Sequence, residues 1–153
     1  MIKSFCKINL SLRVLKRLKN GMHNIQSNSV LLNFYDEIKI EVIKNKTDLI
    51  TFNGKFGKEI NITKNSVIKT MKLLRSKGFI NKKVYYKILV NKKIPIFSGL
   101  GGGTSNAAFL IKNFIKSKIS KKLMNLFVDR LGSDLRLFFF DQLFQKNLKT
   151  IIK

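Results

Sequence analysis

The chain carries the stretch PIFSGLGGGTSNAA at residues 95–108, and this stretch decides how the rest is interpreted. Four of the nine glycines fall at positions 99, 101, 102 and 103, and Thr104 and Ser105 after them are expected to open a helix. Glycine reaches positive φ and lets backbone N–H groups approach a ligand closely. A helix start adds unpaired N–H donors and the positive end of the helix dipole. The stretch therefore predicts an anion-binding loop, most naturally for the phosphates of a nucleotide.

Two familiar phosphate-binding patterns do not fit this loop. A Walker A motif needs a lysine directly before its terminal Ser or Thr, and no lysine occurs between Lys93 and Lys112. A dinucleotide fingerprint needs a third glycine where this chain has Thr104 or Asn106, depending on the register chosen. The plain structural alternative is a flexible hairpin or helix-entry loop. Pro95 before the glycines and the capping hydroxyls after them argue against it.

The hydrophobic periodicity of the chain predicts an α+β domain. Alternation over residues 5–14 predicts a half-buried strand whose apolar face comprises Cys6, Ile8, Leu10, Leu12 and Val14. Further strands are expected at residues 29–34, 38–42, 49–52, 84–90 and 135–144. Helices are expected after the N-caps Asn65 and Ser120 and directly after the glycines. The predicted element order is β-β-β-β-α-β-α-α-β.

The composition is that of a strongly basic chain of single-domain size. Its 153 residues hold 31 Lys and Arg against 8 Asp and Glu, a formal charge of +23. Such a field attracts nucleic acid, anionic lipid or a phosphorylated ligand, although an AT-rich codon bias explains the excess of Lys, Ile, Asn and Phe equally well. The lone Cys6 excludes an internal disulfide and a cysteine-based zinc site. No apolar run approaches the ~18 residues that span a bilayer, so a soluble, cytoplasmic protein is expected.

Residues 95–108 resemble the second signature of the GHMP kinases, the superfamily of galactokinase, homoserine kinase and mevalonate kinase. Three further segments resemble motifs of a branch of that family that acts on a cytidine diphosphate-linked methylerythritol: residues 6–12 (CKINLSL), 21–25 (GMHNI) and 131–134 (LGSD). All four occur in the family's order. The resemblance implies that residues 1–153 form the N-terminal, ATP-binding GHMP domain. Its fold, like that of ribosomal protein S5 domain 2, is a mixed sheet with helices on one face. The family's C-terminal GHMP domain is expected to be absent.

The resemblance also assigns roles to individual residues. It implies that Asp134 is the catalytic base and that Lys7 pairs with it beside the phosphoryl group in transfer. It assigns substrate binding to Asn9, Met22 and His23. Nucleotide binding is assigned to Pro95, Ile96, Phe97, Ser98, Gly99, Leu100, Gly101, Gly102, Gly103, Thr104 and Ser105. The implied cofactors are ATP and, with the nucleotide, Mg²⁺, for which no metal-binding residue is assigned.

The activity that the resemblance implies is ATP-dependent phosphorylation of the 2-hydroxyl of the cytidine diphosphate-linked alcohol, in isoprenoid precursor synthesis. Two alternatives stay open. A GHMP kinase for another alcohol is disfavoured by the Lys7-x-Asn9 opening and by the LGSD segment. A basic RNA-binding module of similar fold leaves the glycine loop unexplained. The expected partner is a small molecule, neither nucleic acid nor membrane, and the oligomeric state stays open. Met22 and Arg136 stand where the family has Tyr and Pro, respectively.

Overall fold

A computed structural model of the chain describes residues 1–17, 21, 23–146 and 151–152. Its strands are β1 (Ile2–Arg17), β2 (His23–Ile43), β3 (Leu49–Asn53), β4 (Tyr85–Asn91), β5 (Gln142–Gln145) and β6 (Ile151–Ile152). Its α-helices are α1 (Ser66–Ser76), α2 (Gly102–Phe114) and α3 (Lys121–Leu131). Short 3₁₀ helices cover Gly57–Glu59 and Ser133–Phe139. The α+β prediction is confirmed.

The described strands form one mixed sheet built around the long strand β2. In the order β3-β4-β2-β5-β6 each strand pairs with the next, and β1 also pairs with β2. β3 runs parallel to β4, whereas the other pairings are antiparallel. The first half of β2 lies between β1 and β5, and its last part pairs with β4. This arrangement makes β2 the element that joins the two halves of the sheet.

The helices pack together against the sheet, and the core lies between these layers. Asn65 and Ser120 cap α1 and α3 as predicted: their side chains accept hydrogen bonds from the backbone N–H of Ile68 and Leu123. On α2, Ala107 and Ala108 are fully buried, and small side chains there allow this helix to lie close to the strands. No helix among the described residues is long and apolar enough to cross a membrane.

Three of the predicted strands have wrong boundaries. Residues 29–34 and 38–42 belong to the single strand β2. Residues 135–144 are not one strand: a 3₁₀ helix extends to Phe139, and β5 begins at Gln142. The 3₁₀ helix puts residues three apart on one face, and it thereby buries both Leu135 and Phe138 completely. Apolar composition predicted burial correctly, but it did not distinguish these two backbone forms.

The apolar face predicted for residues 5–14 is buried only near the start of β1. Cys6 is buried, but Leu10, Leu12 and Val14 are exposed. The register of β1 against β2 shifts between Phe5 and Lys7 and again between Asn9 and Ser11. Such bulges break strict alternation, and the first of them lets consecutive residues, Cys6 and Lys7, both point into the protein. Burial raises the pKa of the Cys6 thiol.

Candidate active site

Lys7 lies where β1 meets the glycine loop. Its backbone N–H donates to the carbonyl oxygen of Leu100 at 3.0 Å, which ties the strand to the loop. Its side chain is only 7% exposed. The Nζ atom donates to Oδ1 of Asn9 at 3.0 Å and lies 3.5 Å from Oδ2 of Asp134. A buried ammonium group therefore faces one amide and one carboxylate.

Asp134 lies in the first turn of the 3₁₀ helix that begins at Ser133. Gly132 precedes this helix with a φ of +125°, a conformation that favours glycine and reverses the chain after α3. The carboxyl side chain of Asp134 is 35% exposed, so one side faces Lys7 and the other can be reached from solvent. Asp134 thus combines an ion-pair partner with access for a ligand.

Gly101 explains how the loop and the 3₁₀ helix approach each other so closely. A Cβ atom at this position would lie 2.7 Å from Cζ of Phe138 and 3.5 Å from Cγ of Lys7. Its φ of +72° is also one that side-chain-bearing residues rarely adopt. A glycine here is therefore needed both for backbone shape and for space, and it brings residues 7, 101 and 134 of the sequence together.

A row of polar side chains continues from Lys7 across β1 and β2. The hydroxyl of Ser29 donates to Oδ1 of Asn9 at 2.9 Å, and the Ser27 and Ser29 hydroxyls lie 3.3 Å apart. Because Lys7 and Ser29 both donate to the amide oxygen of Asn9, the amide NH₂ is the group that Asn9 offers to a ligand. The side chain of Asn9 is exposed, in contrast to the buried Ser27 and Ser29.

A cavity of about 490 Å³ lies on the other side of the glycine loop. From the predicted segment it is lined by Pro95, Ile96, Phe97, Ser98, Gly99, Gly101, Gly102, Gly103 and Thr104. Leu100 and Ser105 do not line it. Ser105 is fully buried and turns toward β1, where its hydroxyl donates to the carbonyl of Phe5 at 2.5 Å. Ser105 therefore anchors the start of α2 rather than facing the cavity.

The helix start is suited to an anion. α2 begins at Gly102, two residues earlier than predicted, and no side chain caps its first N–H groups. Neither α2 nor α1 has an acidic residue in its first turn. The two helix starts are close, because a Cβ atom at Gly103 would lie 3.4 Å from the hydroxyl of Ser66. Two positive dipole ends therefore border one cavity.

Sequence reasoning missed the residues on the far wall and beneath the loop. The far wall is formed by Phe52, Glu59, Ile60, Asn61, Lys64, Asn65 and Ser66. Beneath the loop, Lys92 is 2% exposed and pairs with the fully buried Asp36. Asp36 also accepts the backbone N–H groups of Lys93 at 2.8 Å and Ile94 at 2.9 Å. The alternation of the sequence does contain a signal for Lys92. Ile88 and Val90 point inward, and Lys92 is the next position in that series, which indicates a buried charge.

The predicted substrate-binding residue His23 lies away from Lys7. His23 is exposed at the start of β2, six positions from Ser29, which corresponds to roughly 20 Å along a strand. Met22 lies outside the described residues. Within the part of the chain that the structure describes, no group of three or more His, Cys, Asp or Glu could hold a metal ion.

Among the comparisons with known proteins, no protein-family model matches the chain. A Pelagibacter ubique protein described as 4-diphosphocytidyl-2-C-methyl-D-erythritol kinase is 40% identical over 141 residues, a match covering 87% of this chain and 47% of that protein. A Ureaplasma parvum protein of the same description is 36% identical over 140 residues, covering 90% and 52%. The chain thus spans about half the length of the curated relatives it matches.

Solved structures support the fold. A crystal structure of 4-(cytidine 5'-diphospho)-2C-methyl-D-erythritol kinase matches 94% of this chain and 50% of its own, with a TM-score of 0.64 and 23% identity. A mevalonate kinase matches 99% and 55%, with a TM-score of 0.68 and 16% identity. These structures establish the GHMP kinase fold, and the sequence relatives narrow the assignment. The chain belongs to the 4-diphosphocytidyl-2-C-methyl-D-erythritol kinase family of GHMP kinases.

Proposed function

We propose that this chain provides the nucleotide-binding loop and the catalytic pair of an ATP-dependent kinase for 4-diphosphocytidyl-2-C-methyl-D-erythritol. The phosphoryl group would go to the 2-hydroxyl of that alcohol. The observation that carries the proposal is the ion pair of Lys7 and Asp134, with Nζ and Oδ2 3.5 Å apart, held directly beside the glycine loop. Phosphoryl transfer depends mainly on positioning and charge neutralisation, and this arrangement offers both.

In this proposal Asp134 is the general base. Its partly exposed carboxylate accepts the proton of the attacking hydroxyl. Lys7 holds the carboxylate in place and presents a positive charge to the phosphoryl group. Asn9, whose amide oxygen is occupied by Lys7 and Ser29, donates its NH₂ hydrogens to the alcohol. His23, farther along the β1–β2 ladder, and Met22, its neighbour in the sequence, take the cytosine end of an elongated substrate.

The cavity fits the phosphates of ATP, which would supply the transferred group. The backbone N–H groups of Gly102, Gly103 and Thr104 at the start of α2 would hold the phosphates. The glycines keep this helix start free of side chains. Mg²⁺ would arrive with the nucleotide, bound through its phosphates.

The test is a chimera in which this chain replaces the matching 47% of the Pelagibacter ubique relative. We expect ATP-dependent phosphorylation of 4-diphosphocytidyl-2-C-methyl-D-erythritol, measured by mass spectrometry of the product. Mevalonate and homoserine serve as competing alcohols. Transfer to one of them instead would favour a kinase for another substrate. The chimera carrying Asp134→Asn should lose most of its activity, whereas the exposed control Asp129→Asn should remain active.

An RNA-binding module is the competing function that the charge of +23 favours. Binding of a structured RNA to the chain, measured over a salt series, separates the two functions. Lysine contacts to phosphates give affinity that falls steeply with salt whatever the RNA sequence. Sequence-selective RNA binding that persists at high salt, together with no binding of ATP, would contradict the kinase proposal.

A further inference from the structure

Phe97 is the most exposed large apolar residue of the described chain, with a side chain that is 100% exposed. Its φ of +57° is also the only positive φ of a described residue other than glycine. Both features are unfavourable: an aromatic ring normally gains from burial, and the left-handed conformation crowds a residue that has a Cβ atom. A bulky residue that combines them needs a reason.

The turn around Phe97 is held in place by its neighbours. Pro95 restricts the backbone before it. The Ser98 hydroxyl donates to the carbonyl of Pro95 at 2.9 Å and accepts from the N–H of Leu100 at 3.4 Å. The exposed ring is therefore presented by a hydrogen-bonded turn, at the edge of the cavity that Phe97 itself lines.

We propose that the Phe97 ring stacks on the base of the nucleotide whose phosphates lie at the start of α2. The inference rests on the proposed nucleotide site. It adds the residue that binds the other end of the ligand. A nucleotide carries its charge at one end and a flat, weakly polar ring at the other. The cavity matches this arrangement. Gly102 and Gly103, with the N–H groups of the helix start, line its wall, and the exposed Phe97 ring lies at its edge.

Base stacking also accounts for the two unfavourable features of Phe97. The bound base covers the exposed face of the ring, and aromatic stacking on a base contributes to affinity for any base. The left-handed backbone aims the side chain toward the ligand. This strained conformation lowers the stability of the free protein. Substitutions can therefore remove the ring and relieve the backbone strain separately. Loss of the ring should change the affinity for ATP, and relief of the strain should change the stability of the fold.

The experiment uses the full chain and three substitutions at this position, with ATP and inorganic tripolyphosphate as probes in isothermal titration calorimetry. Phe97→Ala removes the ring but keeps a Cβ atom in the left-handed conformation. Phe97→Gly removes both the ring and the strain. Phe97→Tyr keeps the ring and serves as the conservative control. Thermal unfolding is measured without ligand for each variant.

We expect Phe97→Ala and Phe97→Gly to weaken ATP binding by similar factors, about five- to tenfold, because both lose the stack. Binding of tripolyphosphate, which has no base, should be unchanged. Phe97→Tyr should bind ATP like the original chain. Phe97→Gly alone should raise the unfolding midpoint, by about 2–4 °C, because the strain is gone. Higher stability with weaker ATP binding is a combination that a merely strained loop residue would not give.

Three results would overturn the inference. Unchanged ATP affinity in Phe97→Ala would show that the ring does not contact the base. An equal loss of ATP and tripolyphosphate binding would mean that Phe97 acts through the loop backbone. Absence of binding of either probe to the original chain would instead overturn the nucleotide site together with this inference. A loss confined to ATP separates the two proposals, since the phosphate site then still works.

Discussion

Among the described residues, two lysine–aspartate pairs have a buried lysine but differ in how completely the carboxylate is occupied. Asp36 is fully buried and bonds Lys92 and the backbone N–H groups of Lys93 and Ile94. Asp134 is 35% exposed, lies 3.5 Å from the Nζ atom of Lys7 and shares that ammonium with Asn9. Both oxygens of Asp36 accept hydrogen bonds from the fold, so Asp36 and Lys92 form the closed pair, whereas Asp134 is partly accessible to solvent, so Asp134 and Lys7 form the open pair.

This difference shows why the same two residue types serve different ends. A buried and saturated pair fixes the backbone at residues 92–94, just before the glycine loop, and removing one partner would leave a charge in the core. The pair of Asp134 and Lys7 is looser: the carboxylate is 35% exposed, and its other oxygen accepts only a long hydrogen bond from Ser133, at 3.4 Å, so in the proposed function it can accept a proton. The residue types are the same in both pairs. The pairs differ in how many hydrogen bonds the carboxylate accepts and in how exposed the carboxylate is.

The largest expected effect is a loss of turnover when the open pair of Lys7 and Asp134 is disrupted in the chimera. Asp134→Asn keeps the side-chain volume but removes the base, and kcat should fall by about 10² to 10⁴ with little change in KM for ATP. Lys7→Met should also lower kcat. The double variant should be no slower than the poorer single one if the pair acts as a unit. Steady-state kinetics provides the measurement.

Matched controls decide what these losses mean. Lys16→Met, also on β1 but exposed, should leave kcat unchanged. Additive losses in the double variant would show that Lys7 acts on the phosphates independently of Asp134. A nearly normal kcat in Asp134→Asn would remove this residue from the role of base and, with it, the functional side of the comparison.

The next largest effect is on stability, from breaking the closed pair. Asp36→Asn should lower the free energy of unfolding by about 3–5 kcal/mol, because it leaves the Lys92 ammonium buried without its counter-charge. Asp134→Asn should cost less, because its carboxylate is already 35% exposed to solvent and the Lys7 ammonium keeps its hydrogen bond to Asn9. Urea denaturation of the isolated chain measures both. Equal losses from the two substitutions would abolish the distinction between a structural and an open pair.

A third prediction concerns the glycine that lets the open pair form. Gly99 and Gly101 have similar positive φ values, +75° and +72°, but only Gly101 has close neighbours, since nothing lies within 4 Å of a Cβ atom at Gly99. Gly99→Ala should therefore cost about 1 kcal/mol of unfolding free energy for the backbone alone. Gly101→Ala should cost a further 1–3 kcal/mol or so, because its methyl group collides with Phe138.

Activity separates this crowding from a general loss of stability. In the chimera, Gly101→Ala should also lower kcat, because a displaced Phe138 moves the 3₁₀ helix that carries Asp134. Gly99→Ala should leave kcat close to normal. Equal effects of the two substitutions on both measurements would mean that only the backbone conformation matters at these glycines.

The sequence predicted the elements of the fold better than their boundaries. The caps at Asn65 and Ser120 and the glycine-led helix are local signals, and the structure has all three. The burial of β1 depends on what covers it. Leu10 and Leu12 are exposed although their alternation is regular, because no described residues pack over that part of the strand. Periodicity indicates which residues share a face, but not whether that face is covered.

The residues of the candidate site that belong to sequence motifs were predictable, whereas the residues that only tertiary packing brings together were not. Lys7 and Asp134 were chosen from sequence motifs, and the structure brings them within ion-pair distance. Asp36 and Lys92 belong to no motif and stand out only as buried charges, one within β2 and one directly after β4. Asp36 and Lys92 lie more than fifty positions apart in the sequence and meet because β2 pairs with β4. No local sequence pattern contains that contact.

The smallest expected effect comes from the partly buried neighbours of the closed pair. Lys93 Nζ lies 2.7 Å from Oε1 of Glu37, and Asn91 donates to the other carboxylate oxygen at 2.9 Å. The hydrogen bond from Lys93, and then that from Asn91, lower the pKa of Glu37 below its ordinary 4.5. A carboxyl group with a lower pKa in the folded state stabilises the fold above pH 4.5, and this contribution disappears as pH falls through the folded pKa. Urea midpoints of the original chain and Glu37→Gln should therefore differ slightly at neutral pH and converge in acid. A difference that persists at pH values well below the folded pKa would show that Glu37 acts through shape rather than charge.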